Sequence, residues 1–248
     1  TIKNCGLSRF ATAIKIGGQN VRVIDNNINN NEQAIYITGN ENGPILIEQN
    51  TILNNEQGVI HSGTSEVSIR QNSFTSNNRS GIRLQGGTEH IIDANEFSQN
   101  DVGIYLSGFS NNRINNVQVS NNNIDDQVSF GMRMTLAGNI TLHNNSITNN
   151  GRLGIEISQT LPSITLSNNN ICDNARPRAL ENRFDFSCYN TTDFQGEGNT
   201  IGYARYQLCD ESPWEEYALC EGYRFHDPQE VINEQQQALQ EQEEARRQ

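Results

Sequence analysis

No stretch of the sequence approaches the roughly 18 consecutive apolar residues that a membrane-spanning helix needs, so the sequence predicts no membrane span. Apolar residues make up only 34% of the chain, which has one tryptophan and two methionines. This composition excludes a thick hydrophobic core. It suits a thin solenoid, whose narrow core needs few side chains per residue.

Positive charge is scarce as well. The chain has 17 lysines and arginines against 29 aspartates and glutamates, which gives a formal net charge of −12. A surface of this sign repels phosphate backbones, so the sequence predicts that the protein does not bind nucleic acid.

Cysteine pairs with the spacing of zinc or haem sites are absent, and the sequence predicts neither a metal site nor a cofactor. Four of the five cysteines lie after residue 171: Cys172, Cys188, Cys209 and Cys220. Their clustering in an irregular region predicts disulfide bonds and an oxidising compartment, with buried free thiols as the alternative. Cys5 would then have no partner.

An internal repeat dominates the chain. Its marker is an asparagine two residues before an aliphatic or aromatic residue, and the spacing between copies is 22 to 27 residues before a last interval of 30. The copies begin at Asn26, Asn50, Asn72, Asn95, Asn122, Asn145, Asn169 and Asn199. A fixed period of this length indicates a repeat architecture.

Two further segments recur at nearly fixed distances from the marker asparagine of each copy. An alternating triplet such as Val67-Ser68-Ile69 precedes the asparagine, and a segment such as Gly103-Ile104-Tyr105-Leu106 follows it. Alternation over three or four residues indicates very short, half-buried strands. Three such strands in about 23 residues leave no room for helices, and parallel crossovers are right-handed. The sequence therefore predicts an all-β, right-handed, single-stranded parallel β-helix of about eight rungs.

The marker asparagines are predicted to be structural. In register, the amide of each can donate to one neighbour and accept from the other, which makes a ladder along the solenoid. We expect Asn50, Asn72, Asn95, Asn122 and Asn145 to stack in one column, at corners where asparagine tolerates left-handed backbone geometry.

The repeat suggests three parts: the β-helix at 1–174, an irregular disulfide-stapled cap at 175–227 and a C-terminal helix at 228–248. Asp227-Pro228 supplies the helix N-cap and a proline at the first helical position. The helix either docks on the solenoid or acts as a spacer, or else it forms a short oligomerising coil or docks a protein partner. Because Thr1-Ile2 matches Thr51-Ile52, the chain is expected to begin at the third strand of a rung. That open end is expected to be covered by a cap, a further domain or a partner chain.

The repeat resembles the pectin-lyase-like β-helix superfamily, in particular the carbohydrate-binding and sugar-hydrolase repeats that include periplasmic NosD-type proteins. The resemblance covers about residues 1–174 and implies export to the periplasm, the cell surface or the medium. It also implies that substrates lie along the face of the Gly-Ile-x-Leu strands. The outward column there is Lys15, Tyr36, Ile60, Arg83, Tyr105, Arg133 and Glu156. The next outward column is Gly17, Thr38, Ser62, Gln85, Ser107, Thr135 and Ser158.

Aromatic and cationic side chains beside hydroxyls suit a polysaccharide, since arginine can bind a uronate carboxylate through two hydrogen bonds. Hydrolysis would need paired carboxylates, and this face has only Glu156. Tyr105 between Arg83 and Arg133 leaves open a uronate lyase or epimerase site. His61 and His90 fall at inward positions and are predicted to be core residues.

Two functions remain open from the sequence. One is an exported β-helix protein that binds extracellular polysaccharide, with or without lyase or epimerase activity. The alternative is a non-catalytic structural, adhesive or assembly protein that uses the solenoid as a spacer and its C-terminal helix to dock a partner. The long segment Ser107–Asn116 is expected to form one wall of a binding groove.

We predict the bridges Cys172–Cys188 and Cys209–Cys220, because these are the pairs closest in sequence among the three possible connectivities. Each closed loop is expected to stabilise the protein by about 3 kcal/mol. Peptide mapping by mass spectrometry without reduction tests the pairing, and a peptide that joins Cys188 to Cys209 would contradict it.

Overall fold

The computed structural model describes residues 1–39, 43–109, 113–158, 163–174, 184–191, 194–202, 204–209 and 218–219. All regular structure in these residues is β-strand, arranged in three parallel sheets that each rung visits in turn. The first 21 strands make seven rungs of three strands each. Among the described residues, no helix is long and apolar enough to cross a membrane.

Strands are numbered in chain order. The first sheet contains β1 (Ile2–Lys3), β4 (Arg22–Ile24), β7 (Ile45–Glu48), β10 (Val67–Arg70), β13 (Ile91–Asp93), β16 (Ile114–Ser120), β19 (Ala137–His143), β22 (Ile164–Ser167) and β25 (Phe194–Glu197). The second contains β2 (Gly6–Ser8), β5 (Asn27–Asn29), β8 (Thr51–Leu53), β11 (Ser73–Thr75), β14 (Glu96–Ser98), β17 (Asn123–Asp125), β20 (Ser146–Thr148), β23 (Asn170–Cys172), β26 (Thr200–Ile201) and β28 (Ala218–Leu219). The third contains β3 (Thr12–Ile16), β6 (Gln33–Ile37), β9 (Gln57–His61), β12 (Ser80–Leu84), β15 (Val102–Ser107), β18 (Phe130–Thr135), β21 (Leu153–Ser158), β24 (Phe184–Thr191) and β27 (Ala204–Cys209).

The core is a narrow column of aliphatic side chains between the sheets. Alternation along each strand points every second residue inward, and parallel pairing stacks these residues one rung apart. On the third sheet, Ile82 pairs with Ile104, and Ile104 pairs with Met132; all three are fully buried. Phe74 and Phe97 stack in the same way from the second sheet, with ring centroids 4.9 Å apart. The predicted strand faces are therefore confirmed.

The predicted asparagine ladder is confirmed at the corner between the first and second sheets. Its members are Asn26, Asn50, Asn72, Asn95, Asn122, Asn145, Asn169 and Asn199, all buried. The Nδ2 of Asn50 donates to Oδ1 of Asn72 at 2.9 Å, and the same Oδ1 accepts the backbone N–H of Asn50. Each amide thus satisfies backbone and side-chain groups of two rungs at once.

A second ladder, which the repeat motif did not reveal, lies at the corner between the second and third sheets. Its members are Asn31, Asn55, Asn77, Asn100, Gln127, Asn150 and Asn174. Gln127 accepts from Asn100, and its Nε2 donates to the Asp125 carbonyl at 2.7 Å, just as Asn55 donates to the Leu53 carbonyl. Gln127 differs in its bond to the next rung: its backbone N–H donates to Asn150, whereas Asn55 donates both its backbone N–H and its side-chain amide to Asn77.

The prediction that the ladder asparagines themselves adopt the left-handed backbone conformation is wrong: the residue before each of them does so. The residue before each ladder position has positive φ, and these residues include Gln49, Ala94 and Ser76. Ala94 has a φ of 52° directly before Asn95. The bend therefore belongs to the preceding residue, and the amide closes it by bonding the neighbouring rung.

The predicted phase at the start of the chain is also wrong. Ile2 pairs with Val23 and so lies in the first sheet. The residue equivalent to Thr51 in the first rung is Gly6, because Gly6 pairs with Asn27 and Asn27 pairs with Thr51 in the second sheet. The first rung therefore contributes a strand to each of the three sheets. Cys5 and Phe10 occupy its two ladder positions, and their backbone N–H groups donate to Asn26 and Asn31. The match between Thr1-Ile2 and Thr51-Ile52 is too short to show which of the three strands of a rung the first residues form.

Strands from the predicted cap segment continue all three sheets: β24 and β27 in the third, β25 in the first, β26 and β28 in the second. The predicted C-terminal helix at 228–248 lies outside the described residues. So do the side chains of Cys188, Cys209 and Cys220, and the disulfide pairing remains a prediction. Cys5 is a free thiol.

Replacing Asn122 by alanine is expected to lower the free energy of unfolding by about 2–4 kcal/mol, because buried amide and carbonyl partners in three rungs lose their hydrogen bonds. The adjacent Asn123 is exposed, and Asn123→Ala should change stability by less than about 0.5 kcal/mol. Urea denaturation of both variants measures the difference. Equal effects would contradict a structural role specific to the ladder.

Candidate functional site on the outer face of the third sheet

The outward column predicted from alternation is a continuous strip on the third sheet. Parallel register places Lys15 beside Tyr36, and Arg83 beside Tyr105. The strip members in order are Lys15, Tyr36, Ile60, Arg83, Tyr105, Arg133 and Glu156. Ile60 is only 5% exposed, so it divides the strip into a short part at the N-terminal end and a longer part from Arg83 onward.

Tyr105 lies between two guanidinium groups. The Arg83 Cζ is 5.3 Å from the centroid of the Tyr105 ring, and the Arg133 Cζ is 5.8 Å from it. These are cation–π distances, so the negative face of the ring offsets repulsion between two like charges on neighbouring rungs. The alternation of aromatic and cationic residues along the strip thus produces direct contacts.

Two residues that alternation did not place on this face complete the cluster. The Cζ atoms of Arg133 and Arg152 lie 5.3 and 5.1 Å from the centroid of the Phe130 ring. Phe130 is 6% exposed and is the first residue of its strand. Because it lies two residues before the inward-pointing Met132, alternation predicts that its side chain also points inward. Arg152 precedes its strand, at a corner where alternation predicts no direction. We call Arg83, Tyr105, Phe130, Arg133 and Arg152 the guanidinium cluster.

One carboxylate balances this cluster. Nε of Arg133 lies 2.5 Å from Oε2 of Glu156, and the side chains are 42% and 25% exposed. Arg83 and Arg152 form no ion pair with any residue that the structure describes. Two of three cations therefore remain available to an anionic ligand, although the protein as a whole is strongly acidic.

The second outward column supplies hydroxyl groups beside the strip. Ser62 Oγ donates to the Tyr36 hydroxyl at 3.2 Å, and Thr135 and Ser158 lie 3.2 Å apart across neighbouring rungs. Ser107 differs from the expectation because it is only 7% exposed. It is the last residue of its strand.

The segment after β15 was expected to form a groove wall. Within it, Phe109 is half exposed, while residues 110–112 lie outside the described part of the chain. The wall therefore remains a prediction.

The two inward histidines are buried, as predicted, and lie away from the strip. Burial, together with the charge of His90, lowers the pKa of His61 to about 3, and burial lowers the pKa of His90 to about 4. Both rings are neutral at physiological pH and are 0% exposed. Neither can serve as a base for a ligand on the outer face.

No cluster of three or more histidine, cysteine, aspartate or glutamate side chains that could hold a metal ion occurs in the described ranges.

Another outward column, Glu48, Arg70, Asp93 and His143, lies on the first sheet and is interrupted by Ser120. There Asp93 accepts hydrogen bonds from Ser120 and Asn121. The strip on the third sheet is therefore the better candidate site.

The architecture has counterparts of known identity. Endopolygalacturonase I from Stereum purpureum, complexed with two galacturonate, superposes with a TM-score of 0.54 at 14% identity, covering 86% of this chain and 70% of that chain. A mannuronan C-5 epimerase A-module of Azotobacter vinelandii gives a TM-score of 0.47 at 15% identity, covering 83% of this chain and 63% of that chain. No curated protein sequence matches the chain. The family described as "Right handed beta helix region" matches residues 57–205. That match spans more than half of the chain, which therefore belongs to the right-handed β-helix family.

Proposed function

We propose that this protein is exported and binds an acidic extracellular polysaccharide, a polyuronate, along the outer face of the third sheet. The observation that carries the proposal is the guanidinium cluster, in which three arginines share two aromatic rings and one carboxylate.

The cluster favours an anionic over a neutral sugar chain. A ring that stacks on a sugar needs a free face, whereas Tyr105 has guanidinium groups of two neighbouring rungs packed against it. The rings therefore hold the guanidinium groups in place, and those groups provide the recognition. Guanidinium groups held in fixed positions can bind carboxylates through paired hydrogen bonds.

The spacing of the site fits a polymer. Equivalent residues on neighbouring rungs are about 4.8 Å apart, which is close to the length of one sugar unit. Hydroxyl groups of the second column, such as Thr135 and Ser158, repeat with the same spacing and can bond sugar hydroxyls. A chain of uronates along the solenoid axis would meet one cation at Arg83 and the next at Arg133.

The comparison with endopolygalacturonase I supports the substrate class by analogy of fold, since that enzyme is complexed with galacturonate. This chain has one carboxylate on the strip, Glu156, and it is engaged by Arg133. Hydrolysis through two carboxylates therefore has no counterpart on this face.

Replacing Tyr105 or Arg133 by alanine should weaken polyuronate binding by about 1–3 kcal/mol, because either change removes a guanidinium or the ring that orients it. A glycan array followed by calorimetry with polygalacturonate, alginate and a neutral polysaccharide measures this. Melting temperatures should stay nearly unchanged, since half-exposed residues contribute little stability.

Glu156→Gln is the opposing variant: it releases Arg133 from its counter-ion and should strengthen binding at low salt. Gln118→Ala, on the exposed face of the first sheet, is the control and should bind like the wild type. Equal binding of neutral and acidic polymers, or unchanged binding in both Tyr105→Ala and Arg133→Ala, would contradict the proposal. Unchanged binding would favour a structural or assembly role for the solenoid.

A second candidate function is elimination or epimerisation of the bound uronate. Its support is the position of Tyr105 between Arg83 and Arg133, because the tyrosine hydroxyl can exchange a proton while the guanidinium groups stabilise an enolate. Elimination would break the glycosidic bond and produce unsaturated uronates that absorb ultraviolet light, whereas epimerisation would return a proton to the other face of the sugar and produce an epimer without such absorbance. Either activity should be lost in Tyr105→Phe. Binding without absorbance change or epimer formation would leave the protein a binding module.

A further inference from the structure

Two buried histidines meet at the corner between the third and first sheets. His61 ends β9 and His90 directly precedes β13; both are 0% exposed. Their rings are in edge-to-face contact, with centroids 5.0 Å apart and planes at 69°. The proposed binding function uses neither of them.

His90 is fixed in one neutral form by its hydrogen bonds. Its Nδ1 lies 3.3 Å from the backbone N–H of Val67, which can only donate. Its Nε2 lies 3.0 Å from the Gly86 carbonyl, which can only accept. The ring therefore carries its proton on Nε2. A second proton would have to go to Nδ1, where it would face the Val67 N–H and break that bond.

His61 has weaker support. Neither of its ring nitrogens forms a well-directed hydrogen bond with a described residue, although the Gly86 carbonyl partly opposes the lowering of its pKa by burial. A neutral ring leaves one donor and one acceptor unsatisfied, and a protonated ring leaves two donors. A charge on His61 is thus tolerated only if the corner opens to water.

The corner is packed against both rings. Gly87 has a φ of +85°, and a Cβ there would lie 2.7 Å from His90 Nε2 and 3.1 Å from His61 Cε1. Because the backbone itself covers the rings, water can reach them only after the segment that contains Gly86 and Gly87 moves away.

The charged neighbours do not compensate for this burial. Burial is the largest influence on both pKa values; the Gly86 carbonyl opposes it only partly at both rings, and Glu89 adds a smaller opposing effect at His90. The titratable and charged residues on the surrounding strands and turn are partly or fully exposed: Tyr36, Glu66, Arg70, Arg83, Glu89 and Asp93.

We propose that His61 and His90 form an acid-sensitive latch, which holds this corner closed while both rings are neutral and releases it when they are protonated. Open rings regain a pKa near 6.5. Since the pKa values of the closed form lie lower, at about 3 and about 4, the open form binds more protons. The latch is therefore fully closed above about pH 6.5 and is released progressively as the pH falls toward 4.

Release would affect the segment from Gln85 to His90 and the start of β10 at Val67. Gln85 and Ser62 lie on the outer face immediately beside the latch residues, and Ser62 bonds Tyr36 of the strip. An acid environment would thus loosen one border of the third sheet's outer face. The inference does not depend on the proposed ligand.

Hydrogen exchange followed by mass spectrometry tests the latch on the whole protein. After correction for the pH dependence of chemical exchange, peptides 61–69 and 85–93 should lose protection between pH 7 and pH 4. The expected increase in their opening equilibrium is about a hundredfold from His90 alone. Peptide 119–126, at the first asparagine ladder, should keep its protection.

The double variant His61→Leu and His90→Gln supplies the control. Leucine suits the buried position, and glutamine can accept from Val67 and donate to Gly86 without titrating. This variant should keep the corner closed at pH 4, whereas His143→Gln, at an exposed histidine, should behave as the wild type. Circular dichroism at pH 7 checks that each variant is folded; if the double variant is not, the single variant His90→Gln and the wild-type profile decide. Unchanged protection of both wild-type peptides at pH 4, or the same acid response in the folded variant, would overturn the proposal.

Discussion

The structure depends on the buried amides at the corners of each rung. Strands of three residues, such as those of the second sheet, have too few backbone hydrogen bonds to hold a register alone, and a shift by one residue would expose the core. A ladder amide prevents this shift because it fits only when the next amide lies directly beside it. Asn95, for example, bonds backbone groups of its own and the preceding rung and the side chain of the following one. Two parallel ladders at successive corners align all three sheets.

This register in turn creates the candidate site. Residues that are more than 20 positions apart in sequence become neighbours at one-rung spacing, so the strip is as regular as the core beneath it. Arginines on an acidic protein would be expected to pair with carboxylates. In the guanidinium cluster Tyr105 and Phe130 lie next to the guanidinium groups instead, and among its three arginines only Arg133 has a carboxylate partner in the described part of the chain. The face thus retains positive charge, which supports an anionic polymer as the ligand.

The sequence predicted side-chain directions correctly within strands but incompletely at corners, where it revealed only the first of the two ladders. Alternation correctly predicted which side of the third sheet Tyr36, Tyr105 and Glu156 occupy, since the period of a strand is fixed. At corners no such period exists. Phe130 lies against the guanidinium groups although alternation predicts that its side chain points inward. Ser107 is buried although alternation predicts that its side chain points outward. The second ladder was missed for a related reason: one of its members is Gln127, so the motif is not uniform along the chain.

The sequence by itself determined the fold class, the core columns, the first ladder and the membership of the strip, because each follows from a repeat that every rung obeys. Only the tertiary structure decided which residue takes the left-handed bend, which strand the chain begins with and how the cations of the strip are shared. It also decided that the buried ring of His61 lies edge-to-face against His90. These features depend on side-chain reach and on distances between rungs. Such distances are properties of the stacked solenoid, and no single rung contains them.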